Sequence, residues 1–481
     1  MKRLLQFILD ILAELYIARF HPDIIAVTGN VGKTSTKEAI SIVLSKVKKV
    51  RSGKGNLNNE FGVPLTIIGD WADDYYEAGN SAWFWVKVII VSVWQLALEG
   101  VRPLFLRKRG LTPYPEVLVL EFWADRPGDI GRLTRKYKPK IGVVTAVGEI
   151  PVHVEYFSDP KGLAREKSKL ISALKSSDYA VLNHDDPVVY EMREKTKAKV
   201  MSFGFSDGSM VRLSNFDFRS NENQKPEGIG FKVNYGENTF TPHLSTENKY
   251  AEGSRYLSAG FVPFNIYGSL GKSQAMAVGA AVCVGIIYEM NLIEISQALD
   301  NYSGPRGRLR ILKGIKNSTI IDDTYNSSPL SAHLALETLE GIAALRQAQG
   351  KTTRKLVVLG DMLELGKYTI EAHEEMGNLA GRIADVLVTV GARAKFSAYS
   401  ASNQMDQKNI FSFVNADLAK SKVQELIKNP PDGEAMGDLI LVKGSQGMRM
   451  EKIVEEIMAD PPAGGGKKKE LLVRQGKKWL K

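Results

Sequence analysis

One cysteine among 481 residues excludes a disulfide framework or a cysteine-built metal centre within this chain, and it fits a reducing compartment such as the cytoplasm. That residue, Cys283, sits in an alanine-rich apolar stretch. Long apolar runs are missing as well. The N-terminal "MKRLLQFILDILAELYIARF" is interrupted by Asp10 and Glu14 and no small-residue cleavage site comes after it, which argues against a signal peptide. The stretch Ala82 to Leu98, "AWFWVKVIIVSVWQLAL", holds Lys87 and Gln95 and falls short of the ~20 residues that span a bilayer. The sequence has no internal repeat. Its formal charge of +10 resides largely in Lys467 to Lys469, Lys477, Lys478 and Lys481 and in the cluster Arg102, Arg107, Lys108, Arg109. Only Phe105 and Trp479 stand among those cations, too few for a run of aromatic platforms, so no nucleic acid partner is expected, and an acidic substrate or an anionic membrane surface accounts for them equally well.

What is present is ordinary globular material. With 44% hydrophobic residues the chain can build proper cores, and its length suits about three domains. Residues 1–22 read as an amphipathic helix: Gln6, Asp10 and Glu14 recur every four positions among Leu4, Leu5, Ile8, Ile11, Leu12 and Leu15. Segment 82–98 reads either as a buried or partner-facing helix or as one lying in a membrane interface, flanked by Trp83, Trp85 and the downstream arginines.

The most specific signal is "AVTGNVGKTSTKEAI", Ala26 to Ile40. The general phosphate-loop pattern G-x-x-x-x-G-K-[ST] fails at Val27, but Gly29, Gly32, Lys33 and Thr34 open a helix directly after the β-branched run Ile24 to Val27. Backbone N–H groups there attract phosphate oxygens, Lys33 can reach the β- and γ-phosphates, and the Thr34 hydroxyl can ligate Mg²⁺. A glycine turn without a ligand is the bland alternative.

From Pro22 to about Ser303, short apolar runs alternate with helical patterns, which implies α/β architecture with a mostly parallel sheet. Strand "EVLVLE" ends in Glu121, "IGVVTAV" ends near Gly148 and is followed by His153, and "STIIDD" ends in Asp323; ligands in such sheets bind beyond the carboxyl ends of strands. The polar stretch within 206–256 reads as an inserted, peripheral hairpin. "DNYSGPRGRLRIL" marks a hinge near Gly304 to Arg308, after which "KLVVLGD", "VLVTVGA" and "LILVKGS" make a smaller Rossmann-like domain. The expected units are therefore 1–22, a central domain 23–304 with an apolar insertion at 71–109, a C-terminal domain 305–460, and a flexible basic tail 461–481.

"TGNVGKTSTKE" resembles the T-G-x-x-G-K-[ST]-[ST] loop of the Mur ligase family, ATP-dependent enzymes that form amide bonds in peptidoglycan precursors. "NLNNEFGVPLTII", "ADRPGDI", "AVLNHDDP", "IIDDTYNSSP", "VVLGDMLELG" and "ILVKGSQGMRME" are similar to further family segments, in the same order, over residues 26 to about 454. Two of these segments are most like the branch that joins a UDP-muramyl-tripeptide to D-Ala-D-Ala. The resemblance implies ATP bound by Gly29, Asn30, Gly32, Lys33, Thr34 and Ser35, with one Mg²⁺ on Thr34 and Glu121. It also implies a second Mg²⁺ on Glu121, His153 and a carbamylated Lys167. Without the family, His153 is as readily a structural histidine and Lys167 a solvated helical lysine. Asp323, Asn326 and Gln274 resemble ribose- and adenine-side contacts and Arg308 a phosphate contact, while Asn58, Asn59, Glu60, Lys443 and Ser445 would meet the peptide substrate. Gln274 stands where the family usually has asparagine.

Family members usually carry a uridine-nucleotide-binding domain ahead of the loop, and here the loop begins about 25 residues in, so the expectation is that helix 1–20 and the insertion take its place. They would hold the nucleotide sugar, recruit a cell-wall synthesis subunit, or dock on the membrane. The implied activity is an ADP-forming acid–amino-acid ligase. A lipid-linked or other peptide acceptor, or a nucleotide-binding scaffold without turnover, are the alternatives.

Overall fold

The computed structural model describes residues 2–476 except 55–59, 80, 99–113, 125, 149–153, 158, 223–224, 237–259, 431–435 and 461–467. Two sheets organise it. The larger is built from β1 (Asp23–Thr28), β2 (Val50–Ser52), β3 (Val117–Glu121), β4 (Ile141–Val144), β5 (Tyr179–Asn183), β6 (Lys199–Gly204), β7 (Val211–Ser220), β8 (Pro226–Tyr235) and β9 (Val262–Tyr267), in spatial order β2-β3-β1-β4-β5-β6-β7-β8-β9. Pairing is parallel from β2 through to β7, and antiparallel from β7 to β9. The central strands are apolar on both faces because helices cover both. Ile25 and Val27 enter one core while Ile24 and Ala26 enter the other, as a period of two requires.

The smaller sheet contains β10 (Arg310–Lys313), β11 (Thr319–Asp323), β12 (Lys355–Gly360), β13 (Val386–Val390), β14 (Ile410–Phe413) and β15 (Leu439–Lys443), ordered β10-β11-β15-β12-β13-β14. Only the β10 pairing is antiparallel. Helix Pro329–Ala348 buries Ala335, Leu336 and Leu339 in the same apolar cluster as β1 and β12, so one core runs between the sheets.

Three expectations need correction. The hairpin expected to be peripheral is β7–β8, and it extends the main sheet: Leu213, Ile229, Phe231 and Val233 are buried in the principal core, because their alternation faces the apolar helix Lys272–Ile287. Of the stretch 206–256, residues 223–224 and 237–256 lie outside the described residues. The tail is not free throughout. Lys468–Leu471 forms a helical turn and Leu472 and Val473 are buried, Leu472 in the core of the second sheet. The third concerns helix Lys2–Phe20, whose polar stripe is not simply its solvent face. Asp10 accepts hydrogen bonds from Lys136 Nζ (2.6 Å) and Tyr137 Oη (3.2 Å), so the helix turns Leu4, Phe7, Ile11 and Leu15 outward and buries Leu9, Leu12, Ala13 and Tyr16.

Helix Ala82–Leu98 lies against that helix, with Tyr16 Oη donating to Ser92 O at 3.0 Å and to Gln95 Oε1 at 2.9 Å. It buries Phe84, Val88 and Ser92 and exposes Trp83, Val86, Ile90, Val93 and Trp94. No helix among the described residues is long and apolar enough to cross a membrane.

Candidate active site

β1 delivers the chain to the loop, which turns through Gly29 (φ +145°) and Gly32 (φ +86°) into helix Lys33–Leu44. A side chain on Gly29 would collide with Thr145 Oγ1, so only glycine lets the loop close against the end of β4. Gly32 caps the helix without a side-chain acceptor, leaving its first N–H groups available to an anion. Lys33 Nζ donates to Gly29 O (2.9 Å) and Asn30 O (3.3 Å) and lies 5.8 Å from the centroid of the Trp123 ring. Lys167, on helix Pro160–Ser172 and 1% exposed, donates to the same Gly29 oxygen at 3.0 Å. Two ammonium groups sharing one carbonyl oxygen stand at most about 6 Å apart, a like-charge pair that favours an anion beside it.

Glu121 ends β3 in register with Val27 of β1. Its Oε2 accepts from Thr34 Oγ1 at 3.2 Å and sits 3.8 Å from Lys37 Nζ, which also donates to Gly53 O. The loop after β4 is pinned by Asp186, whose Oδ2 accepts from Val147 N (2.8 Å) and Gly148 N (3.3 Å).

The facing wall belongs to the second sheet and the hinge. Asp323 at the end of β11 and Lys443 at the end of β15 are parallel neighbours and form a buried ion pair at 2.6 Å. Lys443 Nζ also donates to Asn326 O at 3.0 Å, and Leu309 N to Asp323 Oδ1 at 3.3 Å. Burial holds the Lys443 ammonium below its usual pKa even though Asp323 opposes the shift. The Arg308 guanidinium lies 4.1 Å from the Tyr325 ring centroid, within cation–π range. Burial, and then the charge of Glu121, raise the Tyr325 phenol above its ordinary range, which ties the two walls electrostatically.

Between the walls lies a cleft of ≈ 490 Å³ lined by Lys33, Glu121 and Trp123 on one side and Arg308, Tyr325 and Asn326 on the other. A neighbouring cleft of ≈ 360 Å³ is lined by Gly32, Ser35, Gln274, Arg308 and Asp323. Residues 109–244 match the Mur ligase middle domain and 307–446 match the "Mur ligase, glutamate ligase domain", together more than half of the chain. The chain belongs to the Mur ligase family. It is 25% identical over 451 residues to a UDP-N-acetylmuramoyl-tripeptide–D-alanyl-D-alanine ligase of Bacillus subtilis, covering 94% of this chain and 79% of that protein. It is 29% identical over 450 residues to the protein of the same name from Mycobacterium leprae, covering 91% and 74%. Its fold is similar to that of MurF from Acinetobacter baumannii (TM-score 0.67, 22% identity, 93% and 79% covered). It is equally similar to MurF from Thermotoga maritima in complex with ADP (TM-score 0.67, 22% identity, 93% and 82% covered).

In this Mur ligase the residues singled out from sequence fall into four groups. Asn30, Gly32, Lys33, Ser35, Glu121, Arg308, Asp323, Asn326 and Gln274 line the two clefts, and Thr34 and Lys167 touch their walls. Lys443 and Ser445 are buried and turned inward. Lys443 binds Asp323, while Ser445 Oγ accepts from Leu363 N (2.9 Å) and donates to Ser327 O (3.4 Å). Glu60 is exposed just before helix Gly62–Ile68. His153, Asn58 and Asn59 lie outside the described residues.

Sequence reasoning passed over Trp123, Tyr325, Lys37 and Asp186. Asp186 had a local signal, since it precedes Pro187 and caps the helix Pro187–Tyr190. Lys37 and Tyr325 stand inside the quoted segments "TGNVGKTSTKE" and "IIDDTYNSSP" without being singled out, and Trp123 carried no signal. Gln274 is tied to the hinge rather than open, donating to Arg308 O at 3.0 Å and accepting from Tyr302 Oη at 3.0 Å.

For a metal ion, the described residues offer no cluster of three or more His, Cys, Asp or Glu side chains. They offer one carboxylate, Glu121, beside one hydroxyl, Thr34. That hard-oxygen pair fits Mg²⁺, which keeps several waters and takes phosphate oxygens alongside one or two protein ligands.

Proposed function

We propose that this chain is an ATP-dependent amide ligase that adds D-Ala-D-Ala to UDP-N-acetylmuramoyl-tripeptide in peptidoglycan precursor synthesis. The observation that carries the reading is the cleft in which the loop lysine Lys33 and Glu121 face Arg308 from the hinge and Tyr325 and Asn326 from the end of β11. Two walls from two sheets suit a reaction in which ATP and an acyl acceptor must meet away from water. Mg²⁺, when bound, would neutralise charge on the transferring phosphoryl oxygens. Thr34 and Glu121 would hold it. Lys33 and the first N–H groups of its helix would hold the phosphates on the sheet side, and Arg308 would approach them from the hinge. Asp323 and Asn326 would border the nucleoside, and Gln274 would reach it only through the hinge it stabilises. The tripeptide carboxylate accepts the γ-phosphoryl group, the amine of D-Ala-D-Ala attacks the acyl phosphate, and phosphate leaves.

Lys167 carries a finer part of the reading. CO₂ adding to its neutral Nζ forms an N–C bond, releases one proton and turns a cation into a carboxylate-like group. Its like-charge proximity to Lys33 at the Gly29 oxygen favours that change. A carbamate there would supply, with Glu121 and His153, the ligands of a second Mg²⁺.

A second reading keeps the chemistry and changes the acceptor to a lipid-linked muramyl-peptide, with the ligase peripheral on the inner face of a membrane. It is favoured by the outward faces of the two adjacent helices, where Phe7 is 61%, Trp83 74% and Trp94 64% exposed. A partner subunit of cell-wall synthesis would use the same face.

The test is phosphate release with Mg-ATP, bicarbonate, UDP-muramyl-tripeptide and D-Ala-D-Ala, each omitted in turn, with products identified by mass. Release that needs both acceptors and yields a pentapeptide supports the first reading. Turnover only with the lipid-linked precursor supports the second, and ATP binding without acceptor-dependent release would leave a scaffold.

A further inference from the structure

The segment 468–476 is far from the phosphate loop in sequence, yet it packs against the hinge and the 324–325 turn behind the cleft. Leu472 is buried among Leu312, Ile320 and Val442 in the core of the second sheet. The next residue, Val473, packs on the hinge: a Cβ added to Gly307 would stand 2.9 Å from its Cγ1 and 3.1 Å from Tyr325 N. Arg474 comes next in a left-handed conformation (φ +57°), which a non-glycine residue keeps only when its surroundings fix it.

Its guanidinium supplies that fixing. The side chain is 5% exposed, Nη1 donates to Glu451 Oε2 at 2.7 Å, and Nη2 donates to Thr324 O at 2.8 Å and to Tyr325 O. Glu451 is held in turn by Arg449 Nε at 2.5 Å. A rigid fork with several donors can grip a carboxylate and two successive carbonyls at once, which a lysine cannot reproduce.

Thr324 and Tyr325 form the turn between β11 and the start of helix Pro329–Ala348, and its other bonds run to the hinge and to β11. Tyr325 N donates to Gly307 O at 3.0 Å and Thr324 N to Asp322 Oδ1 at 3.1 Å. From this turn the Tyr325 ring meets Arg308, and Asn326 enters the cleft. We infer that Arg474 is a positioning residue: by clamping the 324–325 carbonyls it fixes Tyr325, Arg308 and Asn326, the nucleotide-side wall of the cleft, so that the C-terminal segment is part of the ATP site without touching it. The role assigned to that wall rests on the ligase reading above; the clamp itself does not.

The experiment compares wild type, Arg474→Ala and Arg474→Lys in the full chain, at a temperature well below the unfolding transition of each. Amide hydrogen exchange read by mass spectrometry, without nucleotide, is expected to quicken about tenfold in peptides covering 304–309 and 322–328 of Arg474→Ala. Arg474→Lys should fall between, and β3 should be unchanged. If Arg474→Ala folds poorly, Arg474→Lys decides alone. Acceleration confined to 449–476 would overturn the clamp.

In parallel, the Kd for ADP and the KM for ATP should rise about tenfold in Arg474→Ala with the KM for D-Ala-D-Ala within twofold of wild type. A purely structural role would lower the melting temperature and leave the KM for ATP unchanged relative to the KM for D-Ala-D-Ala. Should wild type bind no nucleotide, the ligase reading fails while the exchange pattern still judges the clamp.

Discussion

The two walls of the cleft are made by different means. On the loop side, groups come from one continuous stretch, Gly29 to Thr34, completed by Glu121 one strand away, and are held by the glycine turns and by bonds to elements around the same sheet, such as Asn30 N to Ala146 O at 2.6 Å and Lys167 Nζ to Gly29 O at 3.0 Å. On the hinge side, Arg308, Tyr325 and Asn326 depend on buried charge pairs whose members are 120 residues apart (Asp323–Lys443) or reach in from the tail (Arg474). The first wall is fixed within the larger sheet, by β1, β3, β4 and the helices beside them. The second exists only when the smaller sheet, the hinge and the segment around Arg474 have packed together, so it should yield to substitutions that the first feels little.

The largest expected effect separates chemistry from folding on the loop side. Lys33→Ala removes a cationic donor from the phosphate loop and should lower acceptor-dependent phosphate release by about a thousandfold. Its melting temperature should stay near wild type, because the Lys33 ammonium bonds carbonyls of its own loop and the residue is not part of a core. Rates within tenfold of wild type would remove the loop from the mechanism.

Lys443→Met on the other wall should do the reverse and leave Asp323 charged and buried, at a cost of about 3 kcal/mol in denaturant unfolding. The double variant with Asp323→Asn should recover part of that loss, and a simple sum of two independent losses would mean the pair is not coupled.

A pH effect is expected on the same wall. Asp322 is fully buried, its Oδ2 has no hydrogen-bond partner among the described residues, and burial pushes its pKa up to about 6 from 3.8. Between those values the folded chain retains a proton that the unfolded chain has lost, so this group's contribution to stability falls as pH rises from about 4 to about 6 and is level above. The expected decline is roughly 2–3 kcal/mol, and Asp322→Asn should flatten that part of the profile. An unchanged profile in the variant would show that Asp322 is ionised in the native state.

The smallest effect on stability belongs to neither wall. Trp94→Ser on the exposed helix face should change unfolding free energy by no more than about 0.5 kcal/mol. It should nonetheless weaken co-flotation with anionic phospholipid vesicles severalfold. Equal flotation would count against the membrane reading.

The same contrast explains what was legible in the sequence. The parallel sheet, the strand ends at Glu121 and Asp323, and the glycine loop arise from local apolar runs and from glycines whose φ values no other residue takes comfortably. Trp123 and Tyr325 were not legible, since an aromatic after a strand is more often core than cleft, and nothing near Tyr325 in sequence points to Arg308 or Arg474. The tail misled for a related reason: "PPAGGGKKK" has the composition of a linker, and only the burial of Leu472 and Val473 shows that the chain is anchored again beyond it. Helix Lys2–Phe20 misled through its charges, because Asp10 is consumed by Lys136 and Tyr137 instead of facing solvent.

The most direct test of the central claim is isotope transfer. With UDP-muramyl-tripeptide labelled with ¹⁸O in its terminal carboxylate, Mg-ATP and D-Ala-D-Ala, the account predicts that released phosphate carries one ¹⁸O per pentapeptide formed, since the carboxylate oxygen leaves with the phosphoryl group. Phosphate released without label, or released at the same rate with no tripeptide present, would contradict it.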